Sequence, residues 1–342
     1  AYTDIDKPSD YFNTVLYTGN GASTHAITGV GFRPDWNWHK IRNDTDWHMV
    51  NDSVRGANYA IYPNATNAEG NVPTGLKSFD SDGFTVGNLN DSNQNNGNFV
   101  SWNWKAGGSA SSNSNGTITS SVSANTDAGF SIGTYNGSGS DNTVGHGLGV
   151  APDMIIVKCK STAHDWVVYH SALGNAKILT LNATTVAQSA GGWQSTSPTS
   201  TVFSIDNAAN SLNQSGQSFV FYAMASKKGY SKFGSYTGNG NADGTFTYTG
   251  FKPAFVMVKS TGGESNWQMS DNKRNTFNEV NKHLRANSSG AEFTNYPIDF
   301  LSNGFKLRAT DTDTNGSGTT YIFMAFAEES FVSSSGVPAT AR

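Results

Sequence analysis

Pro152-Asp153-Met154-Ile155-Ile156-Val157-Lys158 reads as a strand buried on both faces. The run from Met154 to Val157 lacks polar alternation, and Ile and Val favour a pleated, packed backbone. Proline suits the first position of a strand, where its missing N–H leaves no ladder bond unmade. The phrase occurs twice more, as Pro34-Asp35-Trp36-Asn37-Trp38-His39-Lys40 and Pro253-Ala254-Phe255-Val256-Met257-Val258-Lys259. The last copy is also apolar on both faces.

Working outward, each copy is preceded by an aromatic strand and a glycine turn. These are Phe12 to Gly21 (with Tyr17-Thr18-Gly19-Asn20-Gly21), Phe130 to Gly139 (with Tyr135-Asn136-Gly137-Ser138-Gly139) and Tyr230 to Gly240 (with Tyr236-Thr237-Gly238-Asn239-Gly240). Each is followed by a Trp (Trp47, Trp166, Trp267) and then by Asn-x-Ser/Thr: Asn64-Ala65-Thr66, Asn182-Ala183-Thr184, Asn287-Ser288-Ser289. Each closes on an aromatic strand, Phe99 to Trp104, Phe219 to Met224 and Tyr321 to Phe326. The Tyr and Pro landmarks are separated by 118 and then 101 residues, the Trp landmarks by 119 and 101. Self-similarity of this kind marks internal repeats, and about 100 residues is the size of one β-sandwich.

The expected fold is therefore all-β: tandem β-sandwich modules of jelly-roll or lectin-like type, in three internal repeats. Repeat one covers 1–106, a Gly/Ser/Asn-rich linker 107–118, repeat two 119–226, repeat three 227–330 and a tail 331–342. The linker composition of Gly107 to Gly116 is that of a flexible coil. The Gly-x-Gly turns supply the positive-φ positions that tight connections need. Thr276 to Arg285, with Phe277, Val280 and Leu284 at helical spacing, is the one helix candidate.

Composition agrees and excludes other classes. Charged residues make up 14% of the 342, against about 25% in ordinary domains, and the net charge is −4. Disorder is excluded because aromatics reach 12%. A chain without a basic block is a poor partner for a phosphate backbone, so no nucleic acid is expected. The single Cys159 excludes an intrachain disulfide. No apolar stretch approaches a membrane span, so no membrane insertion is expected. The start, Ala1-Tyr2-Thr3-Asp4-Ile5-Asp6, has neither the basic region nor the apolar core of a signal peptide.

Eight tryptophans invite a sugar-stacking reading, which the repeats weaken. Trp36 aligns with Met154 and Phe255, and Trp102 with Tyr222 and Met324. Positions open to any large apolar group are core positions. Trp193, in Ala190-Gly191-Gly192-Trp193-Gln194, has no counterpart in the other copies and is the candidate ligand-binding residue. The competing reading folds it back onto its own module. Asp311-x-Asp313-x-Asn315-Gly316 matches the start of a calcium loop. Asp311, Asp313 and Asn315 are thus the candidate Ca²⁺ ligands, although Ile322 stands where a bidentate Glu would complete an EF-hand. No cofactor other than this Ca²⁺ is expected. The seven His show no metal spacing, and no catalytic motif is present, so no enzyme is expected.

Several of these stretches resemble a family of repeat proteins encoded by tailed bacteriophages, especially marine phages and cyanophages. The residues are Tyr236-Thr237-Gly238-Asn239-Gly240, Gly250-Phe251-Lys252-Pro253, Leu301-Ser302-Asn303-Gly304-Phe305-Lys306, Ala325-Phe326-Ala327-Glu328 and Gly336-Val337-Pro338-Ala339-Thr340-Ala341-Arg342. The resemblance implies a virion structural protein of the tail-fibre or host-recognition type, assembled in the bacterial cytoplasm. It implies partners among other virion proteins, a homo-oligomer with a trimer favoured, and a host-surface glycan. The alternatives are a lectin-like carbohydrate-binding module and a glycan-cleaving tailspike.

Overall fold

A computed structural model describes residues 3–189, 191–207, 209–332, 336 and 338. The tail 331–342 therefore lies largely outside the described residues. The chain is all-β, built of antiparallel sheets with only two four-residue α-helices, Asn90–Asn93 and Asn210–Asn213, among the described residues.

One strand order recurs along the chain. An opening strand (Phe12–Thr18, Phe130–Asn136, Ser231–Thr237) pairs with the closing strand (Asn98–Trp104, Ser218–Met224, Thr320–Ser330). The closing strand pairs on its other side with the Pro-led strand (Trp36–Ile41, Met154–Cys159, Phe251–Ser260). That strand pairs with a fourth (Met49–Asp52, Val167–His170, Gln268–Asp271). Registers match as well: Trp36 faces Trp104, Met154 faces Met224 and Phe255 faces Phe326.

The Pro-led strands are buried on both faces because each face meets a different core. One face of each packs on an outer layer of strands, which in the third segment continues from the same eight-stranded sheet. There Val157 shares a cluster with Phe203 and Phe221, and Val258 shares one with Phe305 and Phe323. The other faces of all three sheets meet in one central cluster. It contains Trp36, Trp38, Trp102 and Trp104, then Met154, Ile156 and Tyr222, then Phe255, Met257, Met324 and Phe326. The segments are therefore packed on one another and not strung out as beads. In the first segment the outer-facing positions are polar. Asn37 donates to Ser101 Oγ and Asn103 Oδ1 at 2.9 and 2.8 Å, and His39 Nδ1 lies 2.6 Å from Asn37 Oδ1. Burial is tolerated because these groups satisfy one another.

Two local readings are corrected. Residues Val280–Arg285 form a strand, not a helix, paired with Gln268–Asp271 and Phe293–Leu301. Sheet pairing on both sides overrides a weak helical spacing. The stretch read as a flexible linker is partly ordered in pairing. Ser111–Asn113 and Ser120–Asn125 form a hairpin that adds to the edge of the Phe130–Asn136 strand, with Ser121 opposite Thr134. The same edge stays open in the other two segments, with its mid-strand donor capped. Thr14 N–H donates to Asn13 Oδ1 (3.0 Å) and Phe233 N–H to Ser226 Oγ (3.2 Å). Such capping blunts a sheet edge.

Candidate functional site

The most repeated polar chemistry in the chain joins segments to one another. Asn64, Asn182 and Asn287 each accept a hydrogen bond through Oδ1, from the N–H of His48, Trp166 and Trp267 respectively (2.8–2.9 Å). His48, not Trp47, is thus the counterpart of Trp166 and Trp267, which explains the offset of 119 where the other landmarks give 118. Trp47 lies on the surface against Tyr62 instead. The third residue of each Asn-x-Ser/Thr accepts from the next segment: His164 N–H to Thr66 O, Ser265 N–H to Thr184 O and Asp46 N–H to Ser289 O, each 3.0 Å. Side chains repeat the circuit. Trp166 Nε1 donates to Tyr62 O (3.0 Å), Trp267 Nε1 to Thr180 O (2.9 Å) and His48 Nε2 to Arg285 O (3.0 Å). Segment two bonds to one, three to two and one to three, so the ring closes.

The buried ions serve the same joints. Asp52 pairs with Arg55 and accepts from Tyr222 OH (2.7 Å), and Asp271 pairs with Arg274 and accepts from Trp102 Nε1 (3.1 Å). In segment two, His170 stands at this place and donates through Nε2 to Phe323 O (3.1 Å). Lys158 and Lys259 also reach across, donating to Thr66 O and Thr184 O, and burial lowers each to about 8.

The glycine turns are rigid tips. A Cβ at Gly19, Gly137 or Gly238 would strike the backbone carbonyl of Gln94, Gln214 or Gly316, and Gly21, Gly139 and Gly240 all have φ near +70°. A buried Asn holds each tip. Asn93, Asn213 and Asn315 accept through Oδ1 from the N–H of Asn20, Ser138 and Asn239 (2.9–3.0 Å). Tyr17, Tyr135 and Tyr236 donate to the carbonyl of the residue before each of these Asn.

The three candidate calcium ligands take protein partners in this structure. Asn315 Nδ2 donates to Asn239 Oδ1, Asn241 O and Ala309 O, so its amide is a tip lock. Asp311 accepts from Thr314 N and Oγ1 (both 2.8 Å), and Asp313 accepts from Asn266 and Gln268. The three side chains serve three separate neighbourhoods. Among the described residues, no group of three or more His, Cys, Asp or Glu is placed to hold a metal ion. We expect Asn315→Ala to cost about 1–3 kcal/mol, because it strands buried polar groups. Urea unfolding measures this, and a change under about 0.5 kcal/mol would show that the tip holds itself.

Trp193 folds back onto its own module. It is 1% exposed and lies edge-on to Tyr169 and Phe203 at 5.7 and 6.3 Å. The Gly-rich loop turns the indole inward because Tyr169 and Phe203 offer an apolar recess, so it presents no contact surface.

Two features of other chemistry remain. Asp91 is pushed up to about 7, by burial first and by the neighbouring Asp46 second. The second feature is an exposed aromatic strand, Phe246–Tyr248, at one end of the eight-stranded third-segment sheet. Phe246 is 44% and Tyr248 59% exposed. Beside Tyr248 opens a groove of about 600 Å³ lined by Lys227, Lys228 and Lys232. Sequence reasoning missed it because alternate aromatics in a short strand look the same whichever face is buried.

No curated protein matches the sequence. A family model described as a domain of unknown function, DUF7483, matches residues 7–330. That match takes in all three segments and every joint between them, and the chain belongs to the DUF7483 family.

Proposed function

We propose that the chain is a structural protein of a tailed-bacteriophage virion, a fibre, spike or surface-decoration module that holds surfaces out for adhesion to a host or a neighbouring subunit. The closed circuit of inter-segment hydrogen bonds carries this reading. Buried ions and amides are tied up in holding three segments and three turn tips rigid, as a load-transmitting part requires. The sequence resemblance to phage repeat proteins supports the same assignment. Its proposed partners are other virion proteins and further copies of itself, a trimer first. Mass spectrometry of purified particles is expected to find the chain in stoichiometric amount, with density on a symmetry axis in a reconstruction. Absence from particles would overturn the reading.

A lectin-like binding module is the second reading, and the exposed Phe246 and Tyr248 favour it. Trp193 gives it no support.

A further inference from the structure

The aromatic exposure in the third segment is unrepeated. Ile27, Val144 and Thr247 hold one place in the outer sheets, opposite Phe84, Phe203 and Phe305. Their flanking residues are Ala26 and Thr28, then Thr143 and Gly145, then Phe246 and Tyr248. Core aromatics recur in the three copies, but these two rings do not, so packing does not explain them. They are two positions apart on one strand, on one face, about 7 Å from each other. Phe246 lies against Gly304 and Tyr248 against Gly250, glycines that leave both rings partly open to solvent.

The seam beside them is also unlike its counterpart. In the second segment the inserted hairpin closes the gap between opening strand and outer strand, with Ser120 Oγ donating to Gly145 O (2.7 Å) and Ile118 N–H to Thr143 O (3.0 Å). The connection into the third segment is shorter, and the gap there remains as the groove beside Tyr248. Lys227, Lys228 and Lys232 line it and make no ion pair among the described residues. Asp4 is the one carboxylate in the lining, and it accepts from the Lys228 backbone N–H at 3.1 Å. Within the groove the three lysines outnumber this carboxylate, although Lys227 also borders a second recess that holds Asp6, Asp10 and Asp127.

We propose that this seam binds an acidic polysaccharide, with Phe246 and Tyr248 stacking on sugar faces and Lys227, Lys228 and Lys232 holding the carboxylates. Exposed rings offer flat apolar faces to C–H groups, and ammonium–carboxylate bonds are charge-assisted. A peptide strand fits less well. The Phe233 N–H it would need already donates to Ser226, and Thr237 O already accepts from Thr245 (2.7 Å). The site rests on the adhesion reading and gives it a ligand class.

The test is titration calorimetry of the full chain with polygalacturonate and polysialate, with dextran and single-stranded DNA as controls. The expected result is binding to at least one acidic polysaccharide and none to dextran, weakened tenfold or more by Tyr248→Ser and by Lys228→Glu with Lys232→Glu. Phe246→Ser repeats the measurement if Tyr248→Ser fails to fold. Trp47→Ala, outside the groove's lining, should leave binding unchanged. Silence toward both acidic polymers, equal affinity in Tyr248→Ser, or equal binding of DNA would each overturn the site. A chain found in particles yet silent toward both polymers overturns the site alone and leaves the structural reading standing.

Discussion

Trp36→Ala is expected to lower the unfolding free energy by about 3–5 kcal/mol, the cost of emptying a large core site. The ring sits where segments meet. Its centroid lies 4.4 Å from Trp104 and 5.9 Å from Trp38 in its own segment, and 5.5 Å from Phe130 and 4.6 Å from Tyr222 in the second. Neighbours held by two sheets cannot collapse into the hole, so the cavity persists. The loss should move the whole protein, as one transition in urea, because the central cluster belongs to all three segments. Trp47→Ala removes a ring of the same size from the surface and is expected to cost under about 1 kcal/mol. The same logic predicts that residues 1–106 alone will not fold stably, since Trp36, Trp38, Trp102 and Trp104 would face water. A loss under about 1.5 kcal/mol for Trp36→Ala, or a stable 1–106 fragment, would show that each sandwich core suffices by itself.

The second large effect is with pH. Burial lowers His39 and His283 to about 3 and His170 to about 4, and pushes His48 well below the usual imidazole range. Hydrogen bonds favour the neutral ring at two of them. His48 Nδ1 accepts from Trp38 Nε1 at 2.9 Å, and His170 Nδ1 accepts from Ala172 N–H at 3.2 Å. A proton added at either nitrogen would face another N–H. The unfolded chain protonates these histidines near 6.5, so it binds more protons than the native chain below that pH. The contribution of these histidines to stability is therefore full above about 6.5 and lost as pH falls toward 4. By pH 4, His39, His170 and His283 each lower stability by on the order of 3 kcal/mol, at 1.36 kcal/mol per unit, and His48 acts in the same direction. Asp91, raised to about 7, works the other way over the same range, offsetting about one histidine. A net uptake of about three protons near pH 5 corresponds to roughly 4 kcal/mol per pH unit. Over the 2.5 units from pH 6.5 to 4 this amounts to roughly 10 kcal/mol, the size of a typical stability of about 5–15 kcal/mol, so a marked loss of stability is expected by pH 4. Urea titrations at pH 7, 6, 5 and 4 measure this, and unchanged stability from pH 7 to 5 would refute it.

Reading the residues recovered the strands and their recurrence because a buried strand writes itself as a local apolar run. Met154-Ile155-Ile156-Val157 can be read as doubly covered without knowing what covers it. The glycine turns were legible for a similar reason, since positive φ is a property of one residue. Partners were not legible. Nothing in Asn64-Ala65-Thr66 says that Thr66 O receives the N–H of His164, because that bond depends on how two segments are placed. Which of the two readings of Trp193 holds is not legible either, because a Gly-rich loop leaves the direction of its tryptophan to Tyr169 and Phe203. The calcium pattern of Asp311, Asp313 and Asn315 is a spacing, and a spacing cannot show that three side chains point to different neighbours.

Sequence alone thus determined an all-β chain with low charge, recurring strands and rigid glycine tips. Each of these follows from short-range backbone preference and local apolar pattern. Tertiary structure alone decided that the inner faces share one core, that the Asn-x-Ser/Thr loops are joints, and that aromatic exposure sits on Phe246 and Tyr248. Those outcomes depend on which surfaces meet. Burial is a relation between distant residues, and no single stretch of chain encodes it.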